Sequence, residues 1–165
     1  MNVIRHVALL ALPMMVVACS SEPEKSATAG SAPASAPPAA AAPAPSGKPR
    51  VFFIEPKDGA TVKSPVELKF GVENYELSPV PPGEITTVRP GVGHHHVGVD
   101  QPCMGGGTNI VKGTPSWMHF GKAETGMSPG VQLTPGEHKL SLQFADDKHN
   151  AIEGLCETIT ITVAP

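Results

Sequence analysis

The sequence predicts an all-β fold, an antiparallel immunoglobulin-like β-sandwich that follows a signal peptide and a disordered, Ala/Pro-rich tether. Several short segments alternate apolar and polar residues with period two, and turns rich in Pro and Gly separate them, which is typical of sandwich strands. No segment has the apolar spacing of an amphipathic helix. We expect a signal peptide at 1–18, a lipidated Cys with its tether at 19–48 and the sandwich at 49–165.

The N-terminus has the features of an export signal. A short basic start precedes an apolar run that is too short to cross a bilayer as a helix, which needs about 20 residues. The run ends in Val16-Val17-Ala18-Cys19, which resembles the cleavage box of bacterial lipoproteins. We therefore expect Cys19 to be acylated and to anchor the protein in a membrane. An ordinary signal peptide with an incidental Cys is the alternative.

The residues after Cys19 predict a tether in the cell envelope. Residues 20–47 are mostly Ala, Pro, Ser, Thr and Gly, a composition that cannot bury enough apolar surface to fold. Ser20 and Ser21 resemble the start of lipoproteins that are sent to the outer membrane. We expect an outer-membrane anchor, with the domain facing the periplasm or the cell surface.

The charge of the chain argues against nucleic acid as a partner. The formal net charge is −3, and the sequence contains no cluster of basic residues.

Cys103 and Cys156 are the only cysteines besides Cys19. In an oxidising envelope such a pair usually forms a disulfide, whereas thiolate ligation of a metal near the histidines is the alternative.

The strands follow from the alternation and the turns. In chain order they are predicted at 50–56, 66–72, 84–88 (short), 91–100, 130–133, 138–144 and 157–163. The segment 101–129 has no sustained period and reads as a long loop. The predicted core consists of Val66, Leu68, Phe70, Val72, Val97, Val99, Leu140, Leu142, Phe144, Ile159, Ile161 and Val163.

Three consecutive histidines begin the strand at 91–100. Because side chains alternate faces, His95 points into the core if Val97 and Val99 do. The outer face then carries His94, His96, Gly98 and Asp100. A register slip of one residue would exchange His95 for the other two histidines.

Imidazoles at positions i and i+2 of one strand can hold a single metal ion. We predict a site formed by His94, His96, His119 and His149, with copper or zinc as the ion, since imidazole suits both. Structural packing of these histidines is the alternative. His138 is expected on the core side of its strand, with a ring nitrogen bonded to a loop carbonyl.

Several motifs resemble one known family. They are Phe53-Ile-Glu-Pro-Lys-Asp-Gly59, Gly93-His-His-His96 with Asp100, His119-Phe-Gly121, Leu133-Thr-Pro-Gly-Glu-His138 and the segment 146–149. Together they resemble the DUF4399 family of bacterial envelope proteins of unknown function. In that family a Gly-Gly-Gly-Gln-Thr-Glu run follows His-Phe, whereas this chain has Gly121-Lys-Ala-Glu-Thr125.

Three classes of function remain from the sequence. We favour a lipid-anchored envelope protein that binds a transition metal. The second class is a structural or adhesive module that recognises an envelope protein or polymer, with the histidines as scaffolding. The third is a metal-dependent hydrolase or dismutase-like enzyme, with His149 beside Asp147, or Glu124 near His119, as a base. No nucleophile motif supports catalysis, so we expect a protein that is not an enzyme.

Overall fold

The computed structural model describes residues 47–111, 114 and 116–165. The predicted signal peptide, Cys19 and nearly all of the tether lie outside these residues. Within the described residues there are nine β-strands, in the order β1 (Arg50–Glu55), β2 (Thr61–Val62), β3 (Val66–Glu73), β4 (Glu76–Leu77), β5 (Val92–Val99), β6 (Trp117–Phe120), β7 (Gly126–Val131), β8 (Gly136–Ala145) and β9 (Ala151–Val163). The described part contains no helix, and therefore no helix that could span a membrane.

Two sheets pack against each other as a sandwich. The first has the strand order β1-β3-β7, and the second has the order β2-β9-β8-β5, with β4 and β6 both on the remaining side of β5. All pairings are antiparallel except the short parallel pairs β2/β9 and β4/β5. This arrangement confirms the predicted all-β, immunoglobulin-like sandwich.

The core lies between the two sheets. All twelve predicted core residues belong to it: ten are buried, and Val72 and Val99 are partly buried. Phe70 of β3 lies at the centre, with its ring centroid 4.9 Å from that of Phe120 and 6.5 Å from that of Phe53. The apolar alternation therefore predicted the inward face of each long strand correctly.

The outer face of the second sheet is also covered, which the alternation did not predict. Residues 101–111, here called the covering segment, contribute Ile110 and Met104 to a second, smaller apolar cluster with Trp117, Ala145 and Ala151. Ser141 and Gln143 of β8 alternate with core residues, and both are fully buried although they are polar. Gln143 is satisfied there because its Oε1 accepts a bond from the backbone N–H of Met104 at 3.1 Å.

A disulfide holds the covering segment on the sheet. Cys103 of the covering segment is bonded to Cys156 of β9, as predicted. The two residues are 53 positions apart in sequence. In the chain-entropy view, closing a loop of this length stabilises the fold by about 4 kcal/mol. At its far end the covering segment is tied down by the bond from Ile110 N–H to the carbonyl of His149, at 2.8 Å.

Two local predictions were wrong. The expected loop 101–129 contains β6 and the start of β7, and β7 ends at Val131 where a strand at 130–133 was expected. The glycines of β7 allow a close approach to β3, because a Cβ on Gly126 or Gly130 would overlap the backbone of β3. The short strand expected at 84–88 does not form.

Candidate metal centre

The two outer-face histidines of β5 begin the site. His94 and His96 lie on the same face, as predicted, and β5 runs between β8 on one side and β6 on the other. Both side chains are fully buried, although the sequence placed them on an outer face, because the second apolar cluster covers that face. Their Nε2 atoms lie 2.9 Å apart.

His119 reaches the site through strand pairing. β6 pairs with β5 so that His119 lies directly opposite His96, which puts both imidazoles on one face. The pairing depends on Gly98, because a Cβ there would lie only about 3 Å from the ring of Trp117 on β6. His119 is the exposed member of the group. Its ring lies against Gly121, where a Cβ would overlap it.

His149 reaches the site from the turn between β8 and β9. The carboxylate of Asp146 accepts bonds from the backbone N–H groups of Lys148 at 2.8 Å and Asn150 at 2.9 Å, which fixes the turn. His149 has a φ of 65°, in the left-handed region that Gly and Asn tolerate best.

The four side chains converge on one point. The six distances between their ring centroids run only from 4.8 to 5.5 Å. The Nε2 atoms of His119 and His149 lie 3.1 Å apart, and one nitrogen from each ring lies within 4.8 Å of the others. This buried histidine group, which we call the histidine cluster (His94, His96, His119 and His149), could hold a metal ion.

The cluster keeps its buried imidazoles neutral. Burial, reinforced by the neighbouring histidines, lowers the pKa of His94 to about 3 and that of His96 to about 2. At neutral pH both rings therefore have a lone pair available for a cation, which is the form that binds metal. The Nδ1 atoms of these two rings have no hydrogen-bond partner among the described residues.

The other two histidines of the domain lie apart from the cluster. His95 is in the sandwich core, as predicted, with its ring centroid 4.9 Å from those of Phe70 and Phe144. Burial lowers its pKa to about 4. His138 is half-buried at the rim of the core, and its Nε2 lies 2.9 Å from the carbonyl of Thr134, as expected. Its Nδ1 lies 2.8 Å from Asp100, an additional partner.

An ion pair that the sequence did not predict lies beside the cluster. Arg89 donates to the buried carboxylate of Asp147 through Nη2 at 2.7 Å, and through Nε and its backbone N–H at 3.0 Å each. These bonds lower the pKa of Asp147, and its charge partly offsets the lowering of the pKa of His94. The partners are 58 residues apart, and no spacing rule connects them.

Neither Asp147 nor Glu124 belongs to the group of converging ligand atoms. Asp147 is engaged by Arg89, as described above. The carboxylate of Glu124 accepts the backbone N–H of Lys122 at 2.7 Å, and its carbonyl oxygen lies 3.2 Å from Nδ1 of His95. The group of converging ligand atoms therefore consists of imidazole nitrogens.

Comparison with known proteins identifies the family. The model of the family described as "Domain of unknown function (DUF4399)" matches residues 68–164, which include all nine residues of the triple-histidine, His-Phe-Gly and Asp-Lys-His segments. No curated protein and no solved structure matches the chain. The match covers more than half of the chain, and the chain belongs to the DUF4399 family.

Proposed function

We propose that this protein is a lipid-anchored protein of the cell envelope whose sandwich binds one transition-metal ion, copper or zinc, through the histidine cluster. The observation that carries the proposal is the convergence of four imidazoles from β5, β6 and the β8–β9 turn. Three separate parts of the chain place a ring nitrogen at the same point. Such convergence on rigid strands reduces the ordering cost of binding an ion.

The convergence of all four rings favours an ion over a purely structural role. A neutral imidazole has one donor and one acceptor nitrogen. Without an ion, the Nε2 atoms of His94 and His96 can share one hydrogen bond, and those of His119 and His149 another. Two such pairs do not require all four nitrogens to lie within 4.8 Å of one another, as they do here, whereas a single ion does.

The adhesive alternative has less support. That function would favour an exposed aromatic surface around Trp117, the single tryptophan of the chain. Trp117 is instead 4% exposed and packs over Gly98 beneath the covering segment. It serves the packing that positions β6.

The envelope location is supported by two features. The Cys19 box and the tether predict export and lipidation, and a disulfide is typical of an oxidising compartment. Mass spectrometry of the mature protein from its native gene tests the anchor. We expect an N-terminal Cys19 carrying acyl chains, whereas an unmodified N-terminus would overturn this part of the proposal.

Metal analysis tests the binding. We expect the full-length protein, purified in detergent and dialysed against copper or zinc, to retain about one ion per chain. The double variant His94→Ala, His96→Ala should retain none. The variant His138→Ala is the matched control, since it removes a histidine outside the cluster, and it should retain the ion.

A further inference from the structure

We infer that the ion is zinc(II), bound in a closed tetrahedral site of four imidazoles. The inference rests on the proposed function, since it names the ion and the coordination of the same cluster. It goes further because it assigns the fourth coordination position to a protein side chain. A site filled in this way holds its ion without presenting it to a substrate.

The distances between the rings carry the argument. In a tetrahedral tetraimidazole complex, metal–nitrogen bonds of about 2.0–2.1 Å place all six pairs of ring centroids about 5.2 Å apart. A square-planar complex with the same bonds has four pairs at about 4.5 Å and two trans pairs at about 6.4 Å. The observed pairs run from 4.8 to 5.5 Å, and none approaches the trans distance.

Two of the nitrogen pairs are close to this geometry. Adjacent ligand nitrogens are about 3.3–3.4 Å apart in a tetrahedral site with such bonds. The two measured pairs, His94 with His96 at 2.9 Å and His119 with His149 at 3.1 Å, are within a few tenths of an ångström of that value. The four ligand nitrogens lie within 4.8 Å of one another, so the rings must rotate to bring all of them to bonding positions.

The surrounding structure holds the rings in this arrangement. Two ligands are on β5, the third is set by the pairing of β6 with β5, and the fourth is set by the Asp146 turn. The bond from Ile110 N–H to the carbonyl of His149 ties that turn to the covering segment, which the disulfide holds at its other end. A square plane would require one of these elements to move.

Geometry matters because affinity alone favours copper. For an unconstrained site of nitrogen donors, copper(II) binds more tightly than zinc(II), but copper(II) prefers tetragonal coordination. Copper(I) accepts a tetrahedron but favours sulfur donors, whereas the cluster offers only imidazole nitrogens. Zinc(II) has no geometric preference from its d-electrons and is commonly tetrahedral with imidazole ligands.

The four-ligand count separates this site from catalytic zinc. Hydrolytic zinc centres keep three protein ligands and bind water at the fourth position. Here His94, His96 and His149 are buried, and the exposed His119 closes the group on the solvent side. The inferred site therefore retains its ion and does not activate water.

Cobalt(II) spectroscopy tests the coordination directly. Four-coordinate cobalt(II) absorbs visible light much more strongly than six-coordinate cobalt(II). We expect the full-length protein, purified in detergent with its disulfide intact, to give the strong absorption with one equivalent of cobalt. One equivalent of zinc should abolish it. The variant His138→Ala should behave like the wild type, and the double variant His94→Ala, His96→Ala should give no strong band.

Competition with nickel(II) provides the second measurement. Nickel(II) prefers square-planar or octahedral coordination. We expect it to bind at least about tenfold more weakly than zinc. Weak, six-coordinate cobalt absorption, or copper(II) bound more tightly than zinc in a square-planar form by electron paramagnetic resonance, would overturn the inference but leave metal binding intact. Failure of every one of these ions to bind would overturn the proposed function as well.

Discussion

Gly121 lies against the imidazole of His119 so closely that a Cβ on the glycine would overlap the ring. This contact makes Gly121 a positioning residue for His119, the exposed histidine of the proposed site. We expect Gly121→Ala to displace the His119 ring and to weaken metal binding at least about tenfold, or about 1.4 kcal/mol. Gly105→Ala is the matched control, because a Cβ there meets nothing within 4 Å. Equal affinities for the two variants in a calorimetric titration would contradict the role of Gly121.

His149 combines the role of a proposed ligand with an unfavourable backbone conformation. Its φ of 65° suits Asn better than most residues. We expect His149→Asn to remove one ligand from the proposed site. Without metal, this variant should be at least as stable as His149→Ala, with a free energy of unfolding up to about 0.5–1 kcal/mol higher. Urea unfolding of both variants, with metal removed, measures the difference. A less stable Asn variant would show that the backbone conformation is not a cost at this position.

The ion pair between His138 and Asp100 predicts a dependence of stability on pH. The hydrogen bond to Asp100 raises the pKa of His138 above its ordinary value. Charged His138 therefore stabilises the fold fully below about pH 6.5, the pKa of an unperturbed histidine, and this contribution is lost as the pH rises through the raised value. Asp100 is 52% exposed, so we expect a loss of less than about 1 kcal/mol.

The variant Asp100→Asn tests this pair. Asn retains an oxygen for the backbone N–H of Lys139 and tolerates the φ of 54° at this position. As the pH rises from about 5.5 to 9, the free energy of unfolding of the wild type should decline relative to that of the variant. Parallel curves for the two proteins would assign the pH dependence to other groups.

Phe144 is part of the core between the two sheets. It is fully buried, with its ring centroid 4.9 Å from that of His95 and 5.6 Å from that of Tyr75. We expect Phe144→Ala to lower the free energy of unfolding by about 3–5 kcal/mol. The exposed Ile54 serves as a control, and Ile54→Ala should cost less than about 1 kcal/mol. Similar losses for both variants would contradict the assigned core.

The sequence was sufficient to predict the faces of the long strands. Val66, Leu68 and Phe70 alternate with charged residues, and a strand buried on one face requires this pattern. The pattern failed on β8, where Ser141 and Gln143 are buried although they are polar. The alternation of apolar residues along β8 predicts which face of the strand packs against the opposite sheet. It carries no information about the covering segment, which lies on the other face.

The cluster could be predicted in composition but not in geometry. The spacing of His94 and His96 places them on one face of any strand, whatever the rest of the fold. The register of β6 with β5 places His119 beside His96. His149 reaches the same point from a turn in which its own φ is positive. The pairing of β5 with β6 joins residues that are distant in sequence, and so does the contact of Arg89 with Asp147. Both depend on tertiary structure, and no local pattern in the sequence predicts them.

Calorimetric titration of the full-length protein tests the central claim most directly. Copper and zinc are titrated separately into the wild type, into the double variant His94→Ala, His96→Ala and into His138→Ala. We predict one ion per chain for the wild type and for His138→Ala, with at least one of the two metals bound more tightly than about 10 μM. The double variant should show no binding. A wild type without binding in this range, or a double variant that binds as well as the wild type, would contradict the metal site.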